Sequence, residues 1–156
     1  MRRKDREVLD ANVIESIIKK AKIMHLGMND NGSVYVLPLN YGYSYENGKY
    51  TFYIHSAKEG RKIDVLKANP KIGFEIDIEN ELVTADVACE YSQLYQSVVG
   101  NGCVALIDDI ADKKYGLERI MEHQTGKSNW EYSDEILERV CIIKLEVSEL
   151  TGKEHV

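Results

Sequence analysis

From Lys71 to Glu79 the chain alternates without a break, with Ile72, Phe74, Ile76 and Ile78 on one parity and Glu75, Asp77 and Glu79 on the other. A period of two with a sharp polar difference describes a strand that buries one face and exposes the other, so the chain is committed to a sheet packed on one side. Comparable segments recur along the sequence. Ile23 to Asn29 reads as a strand, and Asn29-Asp30-Asn31-Gly32 as a hairpin turn. Ser33 to Tyr43 reads as a strand interrupted at Pro38, which has no N–H for a ladder and so marks an edge or a bulge. Glu46-Asn47-Gly48 is a second turn, followed by a strand over Lys49 to His55. Leu82 to Glu90, Gln96 to Ile107 and Val140 to Val147 complete the set, with Gly100 and Gly102 implying a sharp bend or a close backbone approach.

Helical spacing is rarer. Val13, Ile14, Ile17, Ile18 and Ala21 follow it between Asp10 and Lys22, where Asp10 can cap the start. Ala57 to Ala68 reads as a second helix, ended by Asn69-Pro70. Ala111 to His123 is a third, burying Leu117, Ile120 and Met121. About seven strands joined mostly by short turns, with three helices, predict a mainly β fold with flanking helices. The sheet should be mostly antiparallel and closed, or nearly closed, into a small barrel. A doubly wound sheet would need a helix between most successive strands, and the chain does not supply them. Residues 1–156 suit one domain, without repeats or a linker.

Charge narrows the function. A net charge of −6 argues against nucleic acid as the principal partner. Lys58, Arg61, Lys62, Lys67 and Lys71 nevertheless cluster against only Glu59 and Asp64, which suits a small anionic ligand. No apolar run is long enough to span a bilayer, and the basic start leads into polar sequence, so a cytoplasmic protein is expected with no membrane partner. Cys89, Cys103 and Cys141 lack metal or redox spacing and read as buried, inert thiols. No nucleophile–base pair, P-loop or G-x-G-x-x-G is present.

Tyr50 to Asp64 carries the strongest chemical signal. A strand end, His55-Ser56-Ala57, leads through Gly60 to a helix start bearing Arg61 and Lys62. Helix N-termini present unpaired N–H groups and partial positive charge, Gly60 allows close approach, and the Ser56 hydroxyl can donate to a phosphate oxygen. A second segment, Val36-Leu37-Pro38-Leu39-Asn40-Tyr41-Gly42-Tyr43, offers an amide on an otherwise apolar strand, able to read the edge of a flat heteroaromatic. A third runs from Tyr91 to Gly100 and is polar and aromatic. The first two also have bland readings, as solvated cations and as an edge strand with packed tyrosines.

Taken together, Arg2-Arg3-Lys4-Asp5-Arg6, Pro38-Leu39-Asn40-Tyr41-Gly42, His55-Ser56-Ala57-x-x-Gly60-Arg61-Lys62, Tyr95-x-Ser97-Val98-x-Gly100, Thr125-Gly126 and Glu149-Leu150-Thr151-Gly152-Lys153 resemble the pyridoxamine 5′-phosphate oxidase-like flavoproteins, and among them the nitroimidazole-resistance branch. The resemblance spans nearly the whole chain. It implies an FMN-binding split β-barrel, a homodimer with each flavin lined by both subunits, and a redox enzyme passing electrons from a reduced donor to a small nitroaromatic acceptor. By the same resemblance Arg61 and Lys62, with Ser56, Ala57 and Gly60, would hold the FMN phosphate. Pro38, Leu39, Asn40 and Tyr41 would run along the ring. His55 would lie near the reactive region as the candidate catalytic residue, Tyr95, Ser97 and Val98 would complete the pocket, and Trp130 would reach toward the partner's flavin or serve as a core anchor. Gln96 stands where many relatives carry a basic residue. The rival reading is a non-enzymatic flavin- or haem-binding protein of the same fold.

Other polar residues read as structural. His25 falls in an apolar strand as a core histidine, His123 at a helix C-terminus where protonation is favoured, and His155 in a disordered tail. Glu75, Asp77 and Glu79 read as a solvated outer face, and no metal site is expected.

Overall fold

The computed structural model describes residues 3–156. The described strands are β1 (Glu7–Val8), β2 (Ile23–Asp30), β3 (Ser33–Asn40), β4 (Gly42–Glu46), β5 (Lys49–Ala57), β6 (Lys71–Val83), β7 (Ser92–Ile107) and β8 (Val140–His155). The α-helices are α1 (Ala11–Lys20), α2 (Arg61–Ala68), α3 (Ile110–Thr125) and α4 (Asp134–Arg139). Every pairing is antiparallel, in the order β3-β2-β6-β7-β8-β5-β4, with β1 added to β8. The two edge strands, β3 and β4, are joined by Tyr41 alone, and among the described residues no ladder seals them, so the barrel is split.

Parity along the strands separates an inner from an outer face. Met24, Leu26 and Met28 of β2, Phe74 and Ile76 of β6, Phe52 and Ile54 of β5, and Ile143 and Leu145 of β8 fill the inside, where α1 adds Ile17 and Ile18. Both expected hairpin turns form. Asn31 and Gly32, then Asn47 and Gly48, all have positive φ, the type I′ geometry that matches strand twist.

Several elements differ from the sequence-based expectation. Pro38 does not interrupt β3, because an edge strand points every second N–H away from its neighbour. The break falls at Tyr41, whose ring is fully buried and whose hydroxyl donates to the Ile18 carbonyl at 2.6 Å. Helix α2 begins at Arg61 rather than Ala57, since β5 stays paired with β8 as far as Ala57 opposite Val140. Leu82 to Glu90 is not a strand. Leu82 and Val83 end β6, and Val83 pairs with Ser92, the first residue of β7, so the ladder has run out. The short helix α4 and the second half of β8 lie beyond the sequence-based expectation. α4 is anchored by Lys113 of α3, a buried ammonium that donates to the Leu137 carbonyl at 2.7 Å and pairs with Asp108 at 2.6 Å. His155 is the end of a strand, opposite Tyr95, with Nδ1 3.0 Å from the Gln93 carbonyl. Cys141 is buried as expected, but Cys89 and Cys103 are exposed.

His123 also departs from expectation. Its ring stacks on Tyr41 at 4.6 Å and its Nε2 lies 2.8 Å from the Ala21 carbonyl. Burial pushes its pKa down to about 4, against the hydrogen bond to Ala21 and with help from Lys22. Burial therefore outweighs the helix terminus, and the imidazole is held neutral. A depressed histidine pKa contributes stability that is complete above the unfolded value near 6.5 and is lost as pH falls toward 4. That contribution is on the order of 2–3 kcal/mol. Urea unfolding between neutral pH and pH of about 4.5 should show this loss, and His123→Gln should flatten it; an unchanged pH slope in the variant would discard the assignment.

Candidate functional site

The end of β5 and the start of α2 form one corner. Ser56 is buried on the inner face opposite Cys141, and Ala57 is exposed. Gly60 precedes the helix with φ of +119°, a backbone conformation that side-chain-bearing residues rarely adopt. α2 has no side-chain cap. By contrast Asp10 caps α1, Asp109 caps α3 and Ser133 caps α4. The first-turn N–H groups of α2 are thus left for another acceptor, and the helix dipole adds positive charge there.

Arg61 does not wait in solvent. Its Nε and Nη2 donate to Asp30 Oδ2 at 2.9 and 2.8 Å, and its guanidinium lies 4.1 Å from the centre of the Tyr35 ring. Lys62 is half-buried, and burial lowers its pKa, only partly offset by Cys141. Among the described residues no carboxylate forms an ion pair with it. Between α2 and the β2–β3 hairpin lies an open cleft of about 510 Å³, lined by Asp30, Arg61 and Asp64 among others. Asp30 and Tyr35 were not singled out from sequence. The only signal was an acid in a turn, which names no partner.

The outer face assembles the rest. Ladder partners run Pro38–His25–Glu75–Val99–Thr151 across β3, β2, β6, β7 and β8, with Asp77–Ser97–Lys153 one step along. The Pro38 and Ser97 segments therefore share one surface, with β2 and β6 between them. His25 is exposed here, not a core residue, because Met24, Leu26 and Met28 own the inner parity of β2. Its Nδ1 lies 3.2 Å from Glu75 Oε2. Burial and neighbouring Asp77 raise the Glu75 carboxyl, and His25 opposes them. Tyr95 lies on the same face under Lys153, whose ammonium is 5.1 Å from the ring centre and lowers the phenol pKa.

Not every candidate faces outward. Tyr41 and Val98 have fully buried side chains and Leu39 packs against the core, so these three shape the barrel wall from within. Asn40 is exposed, but its Nδ2 already donates to the Lys22 carbonyl at 3.1 Å and to Gln124 Oε1 at 3.2 Å, leaving Oδ1 for a ligand. His55 is exposed on β5 opposite Ile142. Four strands separate it from Pro38 in the ladder. Trp130 is 41% exposed, its indole donating to the Lys127 carbonyl at 2.9 Å, so it is not a core anchor. Gln96 donates to Glu154 Oε2 at 2.9 Å.

Two glycines on this face have no internal explanation. Gly27 and Gly73 are direct partners, and neither has positive φ. A Cβ at either would meet nothing closer than 3.5 Å. Gly100, by contrast, is forced, since a Cβ there would sit 2.5 Å from Phe74 Cζ. Glycine in mid-strand is commonly found at a bulge, at a barrel bend, or where a ligand or another backbone approaches closely. Ile23, Val36 and Val99 are exposed on the same face.

Residues 10–154 match the family model for pyridoxamine 5′-phosphate oxidase. No curated protein sequence matches the chain. A Bacteroides thetaiotaomicron structure, provisionally described as a 5-nitroimidazole antibiotic resistance protein, is 36% identical with a TM-score of 0.82, covering 95% of this chain and 86% of that one. A flavocytochrome from Azotobacter vinelandii has a TM-score of 0.80 at 21% identity, covering 100% of this chain and 72% of its own. An FAD- and haem-binding protein from Mycobacterium smegmatis has the same TM-score at 15% identity, over 96% and 73%. The last two show a shared fold.

Proposed function

Since the chain belongs to the pyridoxamine 5′-phosphate oxidase family, we propose that it is an FMN-dependent oxidoreductase, a homodimer that reduces small nitroaromatic compounds with electrons from a reduced donor. The observation that carries this reading is the uncapped N-terminus of α2, with Gly60, Arg61 and Lys62 around it. A phosphate dianion supplies the acceptor that this helix lacks. The 36% identical relative points to a nitroimidazole-like acceptor.

The protein's own part is positioning. Backbone N–H groups of the first α2 turn, Arg61 and Lys62 hold the phosphate, with Ser56, Ala57 and Gly60 shaping the approach. Pro38 and Asn40 border the ring, and Tyr95 and Ser97 close the pocket across the outer face. His55 stands as the proton-handling group near the reacting centre, and Trp130 covers the flavin of the other subunit. Bound flavin would supply two-electron transfer, tuned by these contacts.

The visible spectrum of the purified protein tests the cofactor. A flavin spectrum is expected, whereas a Soret band would favour haem. Steady-state oxidation of a nicotinamide donor, dependent on an added nitroaromatic, tests turnover; bound flavin without turnover would leave a binding protein.

The dimer has its own test. The bare Gly27–Gly73 strip and its apolar surroundings suit a second copy of the chain packed on the outer face. A Cβ at Gly73 meets nothing closer than 3.8 Å within the protomer, and valine improves strand propensity on this outward face, so the fold should persist. The added methyls should prevent close approach, giving monomers by light scattering and lower flavin content. A Gly73→Val dimer with full flavin would place the interface elsewhere.

A further inference from the structure

We propose that His25, Glu75 and Asp77 form a binding site for a divalent transition-metal ion on the outer face, with water completing its coordination. His25 and Glu75 are direct cross-strand partners on β2 and β6, and Asp77 is the next residue of the same parity. Carboxylates in a row along one strand point in parallel. The cross-strand imidazole changes that, because it supplies a third corner from the neighbouring strand. One ligand atom from each residue lies within 4.8 Å of the other two. His25 Nδ1 and Glu75 Oε2 are 3.2 Å apart, close to the edge of a tetrahedron with metal–ligand bonds of about 2.0–2.2 Å, which is roughly 3.3–3.6 Å.

Charge and access agree with the geometry. Among the described residues no lysine or arginine forms an ion pair with Glu75 or Asp77, so two carboxylates face one imidazole without a fixed cation. Within one protomer His25 is 45% and Glu75 36% exposed at the side chain; in the dimer proposed above the trio borders the Gly27–Gly73 contact and faces the partner. One nitrogen and two carboxylate oxygens form a borderline-hard donor set suited to zinc or manganese rather than to copper(I). The site sits next to Pro38 but uses none of the residues assigned above to flavin.

The test is titration of chelator-treated protein with Zn²⁺ by calorimetry and with Co²⁺ by visible absorption. It is run in a Cys89→Ser, Cys103→Ser background, so that the two exposed thiols do not compete. One saturating equivalent per chain is expected, and Zn²⁺ should displace Co²⁺. His25→Ala and Glu75→Gln should each weaken binding at least about tenfold, since loss of a mere outer-shell partner already costs that much. Thermal unfolding verifies that the variants remain folded, and Asp77→Asn, an isosteric change, repeats the test if either does not. No saturable binding, or equal affinity in the folded variants, overturns the site. Flavin released from the same samples is quantified in parallel. Metal without flavin counts against the proposed function alone, and flavin without metal against this inference alone.

Discussion

Riboflavin is expected to bind this protein at least about tenfold more weakly than FMN, because charge-assisted hydrogen bonds contribute about 1.5–3 kcal/mol each and riboflavin cannot make those of the phosphate. The uncapped first turn of α2, Arg61 and Lys62 would all lose their acceptor at once. Arg61→Ala should shrink the preference for FMN, whereas a folding defect would weaken both flavins alike. The ion pair with Asp30 adds a sharper consequence. Asp30 competes with the phosphate for the guanidinium, so Asp30→Asn should leave FMN bound as tightly or a few-fold more tightly. It should leave riboflavin unchanged. Added salt should loosen FMN more than riboflavin. Calorimetric titrations of FMN, FAD and riboflavin into wild type and the two variants decide the matter. Equal affinities for FMN and riboflavin in the wild type would remove the phosphate site and, with it, the main support for FMN over other flavins.

Gly42→Ala should lower stability by about 3 kcal/mol or more, at the upper end of what overpacking costs and a large loss for a single methyl group. Gly42 opens β4 directly beneath α3. A Cβ there would overlap the Arg119 carbonyl group and the Ile120 nitrogen, which are backbone atoms that no rotamer change can clear. Accommodation requires α3 to withdraw from the sheet, separating Leu117 and Ile120 from Tyr53, Leu137 and Ile142. Two controls calibrate the effect. Gly32→Ala meets nothing within 4 Å but has φ of +91°, so it should cost about 1–2 kcal/mol through backbone strain. Gly27→Ala has neither problem and should be near neutral for the protomer. Urea unfolding with unchanged m-values measures all three. If Gly42→Ala cost no more than Gly32→Ala, the close approach of α3 to β4 would be refuted.

Much of the barrel could be read locally. Alternation in β6 sorted inner from outer residues, and Asn31-Gly32 and Asn47-Gly48 located both hairpins. Those signals are complete within a few residues, since side-chain parity and positive φ are properties of the local backbone. The corner proposed to hold a phosphate draws on local signals in the same way: glycine, helix start and cations are consecutive. Elements whose stability comes from a distant partner were misplaced. β8 runs to His155 only because β7 continues beside it, and β5 holds Ala57 out of α2 because Val140 is opposite.

The sequence by itself thus determined the class of fold and the inward and outward residues of its clearest strand, β6, and it marked the segment proposed to hold a phosphate. Only the tertiary structure decided that Arg61 is held by Asp30, that Pro38 and Ser97 lie on one face, and that His25 stands opposite Glu75. Each of those depends on strand order and register between segments far apart in the chain, and a one-residue slip in either would turn the same side chains to the other face.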